Sequence, residues 1–306
     1  MRHYCMNRNL FQRCITWSMV RFRFLYKYVP DSIFLKIKYW AMLGKRLDLN
    51  NPISFNEKLQ WLKIHDRNIE YCRMVDKYSA KEYVASIIGN QYIIPTLGVW
   101  DCFDEIDFDS LPDQFVLKCT HDSGGLVICR DKSKFDIAAA KKKIEKSQKN
   151  NYFYEGREWQ YKYVKPRIIA EKYMDDGHEG LRDYKFFGFN GVNKFLYVSE
   201  GLENHSTARI SFYDFEGNQL PFKRKDYKSF DGKIDFPPNM DKLKEISDKL
   251  VNAIGSVFVR TDFYNISGDI YFSEITFSPC GGMIPFSPEE WDEKIGEWLD
   301  ISTKKG

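Results

Sequence analysis

The residue types best suited to chemistry fall in two short runs near the end of the chain. Val257-Phe258-Val259-Arg260-Thr261-Asp262-Phe263 and Ile270-Tyr271-Phe272-Ser273-Glu274-Ile275-Thr276 flank the turn-forming Asn265-Ile266-Ser267-Gly268-Asp269. Alternation along a strand puts Arg260 and Asp262 on one face of the first run, and Glu274 and Thr276 on one face of the second. The turn residues make the two runs hairpin partners. A three-residue loop of Ser267, Gly268 and Asp269 sets Asp262 opposite Glu274. A two-residue Ser267-Gly268 loop shifts the register by one and separates their faces. The sequence leaves that choice open. Two carboxylates brought together repel unless something compensates. A divalent metal is the simplest compensator. Oxygen ligands suit magnesium, which keeps waters and takes phosphate oxygens, so a nucleoside triphosphate would sit here. The alternative is two unrelated acids on a solvated strand face, and the flanking apolar residues argue against it.

A second group begins at Lys118, near the end of the apolar run Phe115-Val116-Leu117-Lys118-Cys119, and continues as Thr120-His121-Asp122-Ser123-Gly124-Gly125. A lysine closing a buried strand beside a Gly-Gly turn suits a phosphate clamp, since glycines let backbone N–H groups approach phosphate oxygens. It is neither a P-loop nor a G-x-G-x-x-G. A third group is Ile168-Ile169-Ala170-Glu171-Lys172-Tyr173-Met174, followed by Asp183-Tyr184-Lys185. An apolar strand turning polar at Glu171 can offer its backbone to an adenine edge. Taken alone, the second group reads as an ordinary hairpin turn and the third as an ordinary strand end.

These groups need strands and helices to hold them. Ser54 and Glu57 form a capping box for a helix running to about Ile64. A second helix covers roughly Asp76 to Ile88 and stops at Gly89-Asn90. Strands are expected at 115–119, 126–129, 167–174, 184–189, 194–198 and 209–212, with helices over 136–149 and 241–254. In the last helix Leu243, Ile246, Leu250 and Ile254 make one apolar stripe.

The chain has 306 residues, enough for two or three packed subdomains. Its net charge of +3 is too mild to argue for nucleic acid. Aromatic residues make up 16%, which suits aromatic-rich strands or a sugar-facing surface. Seven scattered cysteines show no C-x-x-C spacing and suit a reducing cytoplasm. No apolar run reaches the roughly 18 residues a bilayer span needs. Residues 1–50 are basic and aromatic. They read either as a helix lying on anionic lipid at the inner membrane surface or, with greater weight, as a packed helix with a solvated basic face.

The order of the three groups resembles the layout of ATP-grasp enzymes, most of all the TupA-like branch named for teichuronopeptide biosynthesis. Asn51-Pro52-Ile53-Ser54-Phe55-Asn56-Glu57-Lys58-Leu59-Gln60-Trp61, Asp76-Lys77-Tyr78, Phe115-Val116-Leu117-Lys118, Asp183-Tyr184-Lys185 and Glu274-Ile275-Thr276-Phe277-Ser278-Pro279 carry the resemblance, which spans roughly Pro30 to Asp300. It implies an α+β ATP-grasp fold: two α/β lobes with antiparallel sheets gripping the nucleotide, preceded by a helical N-terminal region. The expected divisions are 1–50, a helical substrate region over 51–110, a small lobe over 111–170 and a catalytic lobe over 171–300. By the same resemblance Lys118 contacts phosphate, the turn with Ser123, Gly124 and Gly125 covers it, and Glu171, Lys172 and Met174 form the adenine hinge. Lys185 and Arg260 act at the reacting phosphate or acyl group. Asp262, Glu274 and Thr276 hold metal, although the wider superfamily places asparagine where Thr276 stands. The implied activity is an ATP- and Mg2+-dependent carboxylate–amine ligase working through an acylphosphate. Its implied partners are a uronic acid or other cell-surface carbohydrate and an amine or amino acid, as in capsule or cell-envelope assembly. Two rivals stand beside it. One is a glycosyltransferase, with Asp107-Phe108-Asp109 as its D-x-D motif. The other is a kinase on the same fold.

Overall fold

The computed structural model describes residues 8–122, 124–177, 181–202 and 207–304. Ser123, an expected phosphate contact, lies outside them. Three helices lead: α1 (Leu10–Arg21), α2 (Arg23–Tyr26) and α3 (Asp31–Leu43). Met19, Phe34, Leu35 and Tyr39 bury one face of this group. Next come α4 (Phe55–His65), α5 (Glu70–Val75) and α6 (Ser79–Ile88). The capping box at α4 forms as its sequence requires, with Ser54 accepting from the Glu57 amide and Glu57 from the Ser54 amide. Helix α6 starts three residues later than Asp76, because the Asp76 carboxylate accepts the amides of Tyr78 and Ser79 and anchors the helix from outside.

The smaller sheet joins β1 (Thr96–Trp100), β2 (Phe115–Cys119), β3 (Leu126–Cys129) and β4 (Ile168–Lys172) in the order β1-β4-β2-β3, all antiparallel. Between β3 and β4 lie α7 (Ile137–Gln148) and α8 (Phe153–Gly156). Alternation along β2 buries Phe115, Leu117 and Cys119 with Ala140 and Ile144 of α7. Lys118 therefore points to the other face.

The larger sheet has the order β10-β9-β5-β6-β7. Its strands are β5 (Asp183–Phe189), β6 (Val192–Glu200), β7 (Arg209–Tyr213), β9 (Phe258–Ile266) and β10 (Asp269–Thr276). The rest of the chain supplies β8 (Lys223–Arg224), α9 (Met240–Ile254), β11 (Phe286–Ser287) and α10 (Trp291–Glu297). The α9 stripe of Leu243, Ile246, Leu250 and Ile254 packs with Phe186, Val198 and Val259 on one face of this sheet. Each fully buried leucine there contributes roughly 2 kcal/mol. The opposite face packs Phe187, Phe189, Phe195, Phe212 and Phe258 against Phe55 of α4, Phe286 of β11 and Ile295 of α10. Much of the chain's aromatic wealth is thus core. Along β5 and β9 this second face passes from an aromatic layer at Phe187, Phe189 and Phe258 to a charged end at Asp183, Lys185, Arg260 and Asp262.

Candidate functional site

The hairpin of β9 and β10 settles the register question by a third route. Ser267 and Gly268 form a two-residue turn, both with positive φ (53° and 94°), so Ile266 pairs with Asp269. Left regular, that turn would pair Asp262 with Ser273. A bulge between Phe272 and Glu274 inserts Ser273 and brings Glu274 opposite Asp262. Thr276 pairs with Arg260 in the same register.

Asp262 is fully buried and neutralised from two sides. Arg260 grips it in a fork, with Nε–Oδ1 and Nη2–Oδ2 both 2.7 Å. Lys185, its cross-strand partner on β5, reaches Oδ2 at 2.6 Å. Burial opposes ionisation here, but Arg260 and Lys185 outweigh it and hold the Asp262 carboxyl below its ordinary range. Arg260 also contacts the Thr276 hydroxyl at 3.0 Å and the Tyr197 hydroxyl at 3.3 Å, with Glu274 at 3.8 Å. Glu274 is the more open acid, its side chain 30% exposed. Lys185 donates as well to Asp183. Burial pushes the Asp183 carboxyl up to about 6 despite Lys185, and its buried Oδ1 has no hydrogen-bond partner among the described residues. Among those residues no group of three or more His, Cys, Asp or Glu side chains is arranged to hold a metal. Magnesium does not require one, since one or two carboxylates suffice when phosphate and water complete the shell. Of the three expected ligands Glu274 offers the open carboxylate, whereas Arg260 and Lys185, rather than a metal, neutralise Asp262, and Thr276 is bonded to Arg260. Asp262 would join a magnesium shell where those cations turn to phosphate.

On the smaller sheet, Glu171 is buried and carries two cations, Lys118 at 2.6 Å and Lys81 of α6 at 2.5 Å. Burial disfavours its charge, but the two lysines reverse the effect and lower its pKa to about 2. For Lys118 burial lowers the pKa, and Glu171 more than restores it, with Tyr264 and Glu274 of the larger sheet adding to the rise. The Glu171 side chain, expected only to lend its backbone, sets the position of Lys118. Lys81 was missed. It lies in the first turn of α6, and nothing in its local sequence marks it as the second cation on Glu171.

The glycine turn has a different reason at each position. A Cβ on Gly125 would meet Cys119 Sγ at 2.5 Å and Ser147 Oγ at 2.7 Å, so packing demands glycine there. Its N–H is already donated to Asp122 Oδ1. A Cβ on Gly124 would meet only Asp122 Oδ2 within 4 Å, at 3.9 Å. The Lys172 amide is donated to the Pro95 carbonyl, and Met174 is half-buried beyond the end of β4.

The run in α4 braces the loop after Thr276. Asn56 makes two hydrogen bonds to the backbone of Ile284. Gln60 donates to the carbonyls of Gly281 (3.1 Å) and Gly282 (2.5 Å). Lys63 donates to Gly281 at 2.6 Å and Gly156 at 2.9 Å, and burial lowers its pKa to about 7. Glu158, 3% exposed, lies in the field of Lys63, Lys38, Glu274 and Arg260. Neither Lys63 nor Glu158 was singled out in the sequence, because each becomes notable only through burial.

Asp107-Phe108-Asp109 is an exposed single turn in which the Asp107 carboxylate accepts the Asp109 amide. Its spacing serves a local cap.

The family model described as TupA-like ATPgrasp matches residues 57–300. The chain belongs to that family. Membership bears out the fold and the enzyme class read from the sequence: an ATP-grasp ligase, of a superfamily that binds ATP with divalent metal. No curated protein matches the chain. Among solved structures it is similar to D-alanine–D-alanine ligase from Helicobacter pylori, at 18% identity and TM-score 0.47 over 80% of this chain and 68% of that one. It is also similar to D-alanine–D-alanine ligase from Bacillus anthracis complexed with ATP, at 14% identity and TM-score 0.43 over 76% and 68%.

Proposed function

We propose that this ATP-grasp ligase uses ATP and magnesium to join an amino acid or amine to a carboxylated sugar, such as a uronic acid of a cell-surface polysaccharide. One observation carries the site: Asp262 faces Glu274 beside Arg260 and Lys185, while Lys118 of the smaller sheet pairs with Glu171. Asp262 and Glu274, with the Thr276 hydroxyl, would hold the magnesium, which supplies positive charge to the triphosphate. Lys118 holds the phosphates from the smaller sheet, in exchange for its pairing with Glu171. Lys81 remains to neutralise Glu171 when Lys118 leaves. Arg260 and Lys185 stabilise charge on the γ-phosphoryl group as it passes to the substrate carboxylate, giving ADP and an acylphosphate. The amine then attacks the acyl carbon, the C–O bond to phosphate breaks, and an amide and inorganic phosphate result. The exposed Tyr163, edge-on to Trp159 at 5.7 Å, supports a sugar-facing surface, whereas Tyr161 is buried core.

The test incubates the protein with ATP, magnesium and a panel of uronic acids and amino acids. ADP with an amide product is expected. ADP with a phosphate ester would make it a kinase instead. A nucleoside diphosphate released from a sugar donor would favour the glycosyltransferase, and no ADP with any carboxylate would sink the proposal.

A further inference from the structure

Among the described residues, nine of the seventeen large apolar side chains left exposed lie between Leu10 and Ile33. That density is far from the single scattered residues expected of a soluble surface. On α1 the packing shows which face is spare. Gln12, Ile15 and Met19 turn inward against α3, while Leu10, Trp17 and Val20 stand out at 76%, 61% and 51% exposure. Arg13 and Arg21 share that outer face at helical spacing. The outward side chains continue through Phe24, Leu25, Lys27 and Tyr28. Residues 1–30 contain no Asp or Glu, and the first acid, Asp31, is already paired with Arg67 and Arg157. A packed helix with a merely solvated basic face would not expose Leu10, Trp17 and Val20 as well.

We infer that α1 and α2 form a docking surface for an anionic lipid bilayer, with the apolar and aromatic side chains entering the headgroup boundary and Arg13, Arg21 and Lys27 meeting acidic headgroups. Charge decides against a second copy of the chain, since a symmetric contact would bring the same cations face to face. Spanning is ruled out for the described residues, where no helix is long and apolar enough to cross a membrane. The surface lies on the bilayer and uses both contributions, because neither a short apolar face nor three cations alone holds a protein there firmly.

The experiment is co-sedimentation of the full chain with two kinds of vesicle. One is phosphatidylcholine alone, and the other is phosphatidylcholine with about one-third phosphatidylserine. The chain should bind the anionic vesicles at least about tenfold more tightly, and added salt should weaken that binding. Trp17→Ser/Val20→Ser and Arg13→Glu/Arg21→Glu should each cut binding about tenfold. All four side chains are exposed, so unchanged circular dichroism should accompany the loss. Equal binding to both vesicle types, or full binding by both variants, would overturn the inference. So would a dimer, seen by sedimentation without lipid, that Trp17→Ser/Val20→Ser disperses.

Discussion

Glu171 shows how much a single side chain's role depends on what surrounds it. In the sequence it marks the end of an apolar strand. In the fold it sits between Lys81 and Lys118, with its pKa lowered to about 2. A carboxylate held below its unfolded value stabilises the fold above about pH 4.5, and that contribution fades as the pH falls through about 2. Glu171→Gln should therefore lower stability near neutral pH by roughly 2–4 kcal/mol, partly by leaving two lysines unpaired. The difference from the parent protein should shrink steadily in urea unfolding between about pH 4.5 and pH 2. A constant difference across that range would show that the ion pairs are not the cause. Arg260, Asp262 and Glu274 were legible as candidates because strand alternation groups them, Lys118 because it closes an apolar strand beside a Gly-Gly turn, and Lys185 through the family resemblance. Lys81, Lys63 and Glu158 were not, because contacts far apart in sequence bury or pair them.

At the scale of elements, the α4 cap, the α9 stripe and the long antiparallel strands follow from local periodicity and were read within a few residues. The Ser273 bulge was not, since one extra residue in a strand leaves no mark in composition. It decides the site, because the two-residue turn alone would set Ser273, not Glu274, against Asp262. The brace from α4 to the loop after β10 was equally hidden, although Asn56 and Gln60, two of the three residues forming it, stand in the Asn51–Trp61 run. Gly282 is where that brace is tightest. Its φ is 65°, and a Cβ would fall 2.5 Å from Gln60 Nε2 and 2.9 Å from Leu59 Cβ. Gly282→Ala should cost roughly 2–4 kcal/mol in chemical unfolding, combining left-handed strain with overpacking. It should also slow ATP turnover by shifting the loop that follows Thr276. Parent-like stability together with parent-like turnover would remove the brace from the account.

For the whole molecule, the proposed function makes the two sheets two sides of one nucleotide site, with Lys118 on the smaller and Asp262 and Glu274 on the larger. A ligand that binds only the folded, assembled site raises stability, by about 2.7 kcal/mol at a hundred times its Kd. A non-hydrolysable ATP analogue with magnesium should therefore raise the melting temperature of the parent protein and leave Lys118→Ala nearly unmoved. An equal rise in both would separate Lys118 from the nucleotide.

The central claim is tested most directly by calorimetric titration of that analogue with and without magnesium, in the parent protein and in Asp262→Asn/Glu274→Gln. Magnesium should tighten binding at least about tenfold in the parent and give no gain in the double variant, with residual magnesium-free binding retained through Lys118 and the hinge. The same magnesium gain in both proteins would contradict the account.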